Sequence, residues 1–476
     1  MQTKSIDSAS AQQWAEQEFG HARLGDERLS KRLARIAGCF LEQPERSIPQ
    51  ACGGSWPEMK AAYRFFDNEG VDPQAILGSH YEQTQQRMAA QDLVFVIQDT
   101  TGLNFDSHPH TQGLGCIGTT AQGARGLWLH SSLAVSAKKM PLGLVKVETW
   151  VRDPKDFGVA KTRHQRKIHA KESHRWLASF AATVELAPRL PTTRLINLAD
   201  REGDIYELFA LAAAHPEVGV LVRARHNRAV LGSGERWDEH LRRLAPAGEI
   251  EITVPRRTGQ PSRKARLELR YFECELKAPS GKHQVPVRVW VVEAREKNSP
   301  VQAPIRWRLV TNQPVVDLAG AVEKIQWYTI RWQIEEFHRV LKSGCQAEQR
   351  QLETLDRLLR VLALDLVVAS KILALSRCAR ENPGGDPREV LAEEEVEVLR
   401  MYRQEKGKKE PLDLKQAIRT IAGLGGFIGR KGDGDPGAMT LWRGYQVLKM
   451  MVAGWKLCKK YGYCSARRER ENGTLR

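Results

Sequence analysis

Five β-patterned segments follow one another between about residues 218 and 313: VGVLVRAR, GEIEITVP, KARLELRYFECEL, VPVRVWVVEA and IRWRLVTN. Each reads as a strand, so the pattern from about 218 to 313 is expected to be β throughout. Helical patterning lies on both sides of this block. Residues 1 to about 75 contain GDERLSKRLARIAGCFLEQP and SWPEMKAAYRFFDN, the second with Ser55 placed to cap and Pro57 in the first turn. From about 353 onward the chain reads as helix, broken at ENPGGDP and GRKGDGDPG. Strands and helices mix in the stretch before the block. LVFVIQDTTGLNF (93–105) is a compact strand-like run with Asp99 expected at the strand's end. GLWLHSSLAVSA and PLGLVKVETWV read as strands around KKMP, WLASFAATVELA as a helix. TRLINLADREGDIYELFALAAAH reads as strand, tight loop and helix, with Asp200 where the strand stops. That order predicts an α+β fold with a core interrupted by a β insertion and flanked by two helical parts.

Composition narrows the partners. The chain has 476 residues, 41% apolar and 27% charged, enough for a sizeable core in two or three structural parts. Its formal charge is +16 and its pI about 9.5. A basic balance of this size suits nucleic acid, because neutralising phosphates releases their condensed counterions. The opening MQTKSIDSAS has no apolar centre of the signal-peptide kind. The longest apolar run, Leu358–Leu375, carries Arg360, Asp365 and Lys371, which speaks for a buried helix against a membrane span. A cytoplasmic protein with no membrane partner is expected. The 8 cysteines are scattered, without a CxxC pair or a Cys/His cluster at zinc spacing, so reduced thiols and no structural metal are expected. GLGGFIGRKGDGDPG lacks the GK[ST] ending of a phosphate loop and reads as turns.

The chemistry concentrates in YTIRWQIEEFHRVLK (328–342). As one helix it places Tyr328, Arg331, Glu335 and Lys342 at roughly 0°, 300°, 340° and 320°, a narrow stripe opposite Ile330, Ile334, Phe337 and Leu341. One acid among two cations and a phenol suits a phosphate-bearing ligand near a metal. Taken alone, Arg331 and Glu335 read equally as an i,i+4 ion pair. Together with Asp99 and Asp200, Glu335 offers three carboxylates of the kind that hold a pair of Mg²⁺ ions for displacement at phosphorus.

The spacing Tyr328, Arg331, Glu335, Lys342 matches the Y-R-E-K signature of the bacterial insertion-sequence transposases with a DDE active site. VIQDTT around Asp99 and LADREGDIY around Asp200 resemble that family's first and second acidic motifs, and AAYRFFDN, ARGLWLHSS, KESHRWL and IRWRLVTN are similar to further segments of it. The resemblance runs in order from about residue 12 to beyond 450. It implies a ribonuclease-H-like catalytic core, at 76–370, with its β insertion at about 225–313. A helical end-recognition domain would occupy 1–75 and a helical dimerisation domain 371–476.

The resemblance further implies that Asp99, Asp200 and Glu335 are the catalytic, metal-binding triad, with two Mg²⁺ ions per active site and Mn²⁺ as a substitute. Cut-and-paste members nick the element's end, form and open a hairpin, and join the freed end to target DNA. Tyr328, Arg331 and Lys342 match positions that hold terminal phosphates and a flipped nucleotide, and Trp307 matches the aromatic that stacks near the extruded base. Arg223 and Arg225, expected on one strand face, match phosphate-contacting residues, and Arg28 and Arg32 are candidates for inverted-repeat contacts. The partners implied are double-stranded DNA with terminal inverted repeats, target DNA, and a second copy of the chain in a DNA-bound homodimer associated with the bacterial nucleoid. The basic segment KTRHQRKIHAKESHRW (161–176) is a further candidate for DNA contact. An end-binding regulatory protein that does not cut, and a ribonuclease-H-like nuclease without strand transfer, remain alternatives.

Overall fold

The computed structural model describes residues 11–118, 123–153, 168–230, 234–254, 263–278, 285–299, 304–378, 382–408, 410–430 and 435–461. Helices come first: α1 (Ala11–Phe19), α2 (Glu27–Glu42), α3 (Ile48–Ala51), α4 (Trp56–Asp67) and α5 (Pro73–Ala89). Asp26 starts α2 by accepting the Arg28 backbone N–H at 2.8 Å, and Leu33, Ile36, Ala37 and Phe40 bury its apolar stripe. Ser55 stands before α4 as expected, but its hydroxyl makes no cap.

The sheet begins with β1 (Leu93–Asn104), followed by β2 (Gly115–Cys116), β3 (Arg125–Ser136) and β4 (Pro141–Trp150). Next come α6 (His174–Leu186), β5 (Arg194–Ala199), α7 (Tyr206–Ala214) and β6 (Val218–Arg223). A short helix, α8 (Trp237–Arg243), precedes β7 (Gly248–Val254), β8 (Arg263–Leu276), β9 (Val287–Glu296) and β10 (Arg306–Thr311). The stretch from 218 to 313 is therefore not β throughout: WDEHLRR is helical, and Trp237 and Leu241, four apart, bury one face of this short amphipathic helix.

Among the described residues all ten strands join one sheet. Its order is β2-β3-β1-β5-β6-β10-β9-β8-β7, with β4 also paired to β3. The pairs β1–β5 and β5–β6 are parallel, whereas β3 is antiparallel to both β1 and β4. From β6 onward through β10, β9, β8 and β7 every pair is antiparallel. Alternation along β1 sorts its side chains to two faces. Phe95 and Ile97 join the cluster that includes α2, α4 and the helices that follow the sheet, while Val94 and Val96 join the cluster around Trp176 and Phe180 of α6.

After the sheet come α9 (Leu318–Ile330), α10 (Trp332–Arg339), a π-helical turn at Val340–Gly344, and α11 (Leu355–Leu375). α12 (Glu393–Glu405), α13 (Leu414–Leu424) and α14 (Ala438–Lys460) follow. The apolar run 358–375 lies within α11 and is mostly buried in protein; among the described residues no helix is long and apolar enough to cross a membrane. α13 and α14 meet backbone to backbone, since a Cβ on Gly444 would stand 1.7 Å from the Ile421 carbonyl oxygen.

Candidate active site

Asp99 is not at the end of its strand. β1 runs on to Asn104 because β3 continues to pair with it, Asp99 opposite Ser131; what stops near Asp99 is the pairing with β5. The last β1–β5 pair is Ile97 with Leu198, and the same register carried two residues further sets Asp99 level with Asp200. Adjacent strands lie about 4.8 Å apart, and residues in phase point to one face. Asp99 is in phase with Phe95 and Ile97, and Asp200 with Ile196 and Leu198, all four members of the same cluster. Both carboxylates therefore belong to the face covered by α9 and α10.

Asp200 also caps the one-turn 3₁₀ helix Arg201–Gly203, accepting the Glu202 N–H at 2.7 Å. Glu335 arrives on α10. The expected continuous helix over 328–342 is broken: α9 ends at Ile330, α10 starts at Trp332, and 340–344 widens into the π turn. Arg331 occupies the break, and its guanidinium pairs with Asp99 Oδ2 at 3.5 Å and with Glu335. Burial pushes the Asp99 carboxyl up to about 7, with Asp200 and Glu335 adding to the rise against Arg331 and the Thr100 N–H. Asp200 and Glu335 are thus both near enough to Asp99 to oppose its ionisation.

Tyr328 is buried, with the Arg331 and Arg223 guanidiniums acting on its hydroxyl, and burial raises its pKa. Trp307 of β10 stands edge-on to the Tyr328 ring, centroids 5.4 Å apart. Lys342 leaves the stripe: on the π turn its ammonium bonds the Gly102 carbonyl oxygen at 2.6 Å, with Glu348 at 3.8 Å. Arg225 does not share a strand face with Arg223, because β6 ends at Arg223. Asp204 takes the backbone N–H groups of Arg225 and His226 at 2.6 and 2.9 Å and turns the chain, leaving the Arg225 side chain exposed. In α2, Arg28 is exposed, whereas Arg32 pairs with Glu58 of α4 at 3.0 Å. Of the basic segment 161–176, residues 161–167 lie outside the described residues; Arg175 is buried against the Trp150 ring, 3.7 Å from its centroid.

Asp204 and Arg228, which hold the loop carrying Arg225, were missed in reading along the chain. Asp204, 2% exposed, pairs with Arg228 at 2.5 Å and fixes the loop after β6 that carries Arg225. The second Asp of DREGD was the available signal. Among the described residues no three His, Cys, Asp or Glu side chains are arranged to hold a metal ion. Asp99 and Glu335 are instead paired with Arg331. Their chemistry, three carboxylates with oxygen donors only, is nevertheless that of a hard divalent cation site.

Comparison with known families reaches the two ends of the chain. Residues 11–71 match the family model described as transposase DNA-binding. Residues 367–465 match the one described as the transposase Tn5 dimerisation domain. In class, the two matches support a transposase-type, DNA-acting protein, the DNA-binding match lying before the sheet and the dimerisation match after it. Asp99, Asp200 and Glu335 lie between the two matched stretches, within 72–366.

Proposed function

We propose that the chain is a DNA transposase that cuts at terminal inverted repeats and inserts the freed element into target DNA. Asp99, Asp200 and Glu335 are its catalytic carboxylates in this reading. The register carries it: the parallel pairing of β1 and β5, continued two residues past its last pair, sets Asp99 and Asp200 level on one face, with Glu335 joined to Asp99 through Arg331. The run β4-β3-β1-β5-β6, in which β3 alone is antiparallel, supports a ribonuclease-H-like core, and β7 to β10 extend it as an insertion between the second Asp and the Glu.

The three carboxylates would hold Mg²⁺, and Mn²⁺ would substitute. Bound there, two ions would supply activation of the attacking oxygen and stabilisation of the leaving oxygen at phosphorus. The residues around them have roles of their own. Arg331, once Asp99 and Glu335 turn to a cation, is free to grip a phosphate in bidentate fashion beside Arg223 and Tyr328. Trp307 offers a ring for stacking an unpaired base next to that phosphate. Lys342, exposed Arg225 and Arg28, and Arg32 once released from Glu58, extend the contact along the DNA backbone. The ends would be cut by a DNA-bound homodimer in the cytoplasm, paired through the helices after residue 367.

The test is cleavage of a plasmid carrying the inverted repeats that flank the gene, in Mg²⁺, beside Asp200→Ala. Nicks maturing to hairpin ends and excised element, absent in the control, are expected. Specific end binding without strand breakage in Mg²⁺ or Mn²⁺ would instead leave an end-binding regulator. Nicks that never join target DNA would leave a nuclease.

A further inference from the structure

On the sheet face away from α10, five side chains form hydrogen bonds that run in one direction. Thr100 Oγ1 and His130 Nδ1 are 2.8 Å apart, and His130 Nε2 and Gln98 Oε1 3.2 Å. Gln98 Nε2 donates to Asn197 Oδ1, Asn197 Nδ2 to Thr183 Oγ1 at 3.1 Å, and Thr183 Oγ1 to the Ser179 carbonyl oxygen at 3.1 Å. The Gln98 amide oxygen only accepts, so His130 carries its proton on Nε2, and Nδ1 takes the Thr100 hydroxyl proton. A neutral imidazole is required. Burial, with Arg175, His338 and Lys146 nearby, holds His130 well below its ordinary range.

Gln98, Asn197 and Thr183 are 0% exposed and His130 1%. Polar groups this deep are tolerated only when each is paired, and a directional chain strengthens its own members. One end of the chain touches the site: the Thr100 backbone N–H donates to Asp99 Oδ1 at 2.9 Å. Midway along it, Asn197 of β5 precedes Asp200 by three residues. The Gln98–Asn197 bond crosses from β1 to β5 where their backbone pairing is about to stop at Ile97 and Leu198.

We infer that Gln98, His130 and Asn197 are positioning residues that lock β1 against β5 in the register that sets Asp99 level with Asp200. A slip of one residue would turn Asp200 to the other face of the sheet. The inference rests on the reading of those two carboxylates as metal-binding.

The experiment uses the full chain with His130→Phe, His130→Gln and Thr100→Val. Two midpoints are read: Mn²⁺ binding to DNA-free protein by paramagnetic resonance, and the Mg²⁺ requirement for nicking an end-bearing plasmid. His130→Phe and Thr100→Val should raise both by about 10- to 100-fold, with end affinity in metal-free buffer kept within about twofold. His130→Gln, which offers an amide to Gln98 and a carbonyl to Thr100, should recover most of the loss. Unchanged midpoints in the folded variants, even with a lowered Tm, overturn the inference. If His130→Phe does not fold, Thr100→Val decides, since it removes one hydroxyl only. Wild-type protein that binds no Mn²⁺ overturns the reading of the site itself, before any variant is compared.

Discussion

Arg331 meets two of the three acids with one guanidinium, and Tyr328, Asp99, Glu335 and Asp200 raise its pKa against the burial that would lower it. Removing it leaves three carboxylates repelling one another and no grip on the phosphate. Arg331→Ala should slow nicking by about 10²-fold at saturating Mg²⁺, and Arg331→Lys should recover little, because a point charge does not span two carboxylates. Nicking rates for the two variants check this. The N-terminal arginines separate in a similar way. Arg28→Ala should leave the Tm unchanged and lower the slope of log affinity against log salt by about 0.9 if it contacts one phosphate. Arg32→Ala should also destabilise by about 0.5–1 kcal/mol, because Glu58 loses one of its two arginines. Residue types were legible in the sequence because Tyr328, Arg331 and Glu335 are local neighbours. Their partners were not: Arg331 meets Asp99 and Tyr328 meets Arg223 across more than a hundred residues of chain, which no local pattern records.

Elements were legible where their own patterning decides them, as in α2, β3, β4 and the strand-loop-helix around Asp200. They were not legible where tertiary bonds override it. Every residue from 328 to 342 is compatible with one helix, yet His338 bonds Ser131 of β3 at 2.8 Å and Lys342 reaches Gly102 of β1, and the helix breaks and widens to meet them. A second such bond joins α1 to α5 and the sheet. Glu18, 3% exposed, receives Arg87 through both carboxylate oxygens at 3.0 Å and is bonded by His80. The Leu144 N–H donates to His80 Nε2 at 2.8 Å, so His80 is neutral and gives its Nδ1 proton to Glu18, consistent with the downward shift that burial imposes on it. Burial alone would raise the Glu18 carboxyl, but Arg87 and His80 outweigh it and hold the group down at about 2, against an ordinary 4.5. A depressed acid stabilises the fold above its unfolded pKa and loses that contribution as the pH falls toward the folded one. Stability should therefore drop between about pH 4.5 and about 2 in the wild type. Glu18→Gln should flatten that slope and remove about 3 kcal/mol at pH 7, read by denaturant unfolding across pH.

At the scale of the whole molecule, the helices that match a DNA-binding domain are bonded into the rest of the protein by two arginines that come after the sheet. Arg350, 5% exposed, pairs with Asp365 of α11 at 2.8 and 2.9 Å and donates to the carbonyl oxygens of Pro44 and, at 2.5 Å, Arg46. Arg360 of α11 does the same for Val71 and Phe66 at 2.7 and 3.1 Å. Composition and patterning placed helical parts at both ends of the chain, but these bonds join residues about three hundred apart and left no trace in either. Their consequence is mechanical: α11 follows the π turn that carries Lys342, so the helices that match a DNA-binding domain and the acids are held on one connected frame. If that frame aligns a bound DNA end with the site, weakening it should uncouple binding from cutting. Arg350→Ala leaves Asp365 buried without a partner and should cost about 3–5 kcal/mol, whereas Arg350→Met with Asp365→Leu removes both charges and should recover most of that. The double variant should then bind the end near wild-type affinity yet nick it more slowly, since Pro44 and Arg46 have lost their donor. Equal nicking per bound complex in wild type and double variant would show that the frame serves stability alone.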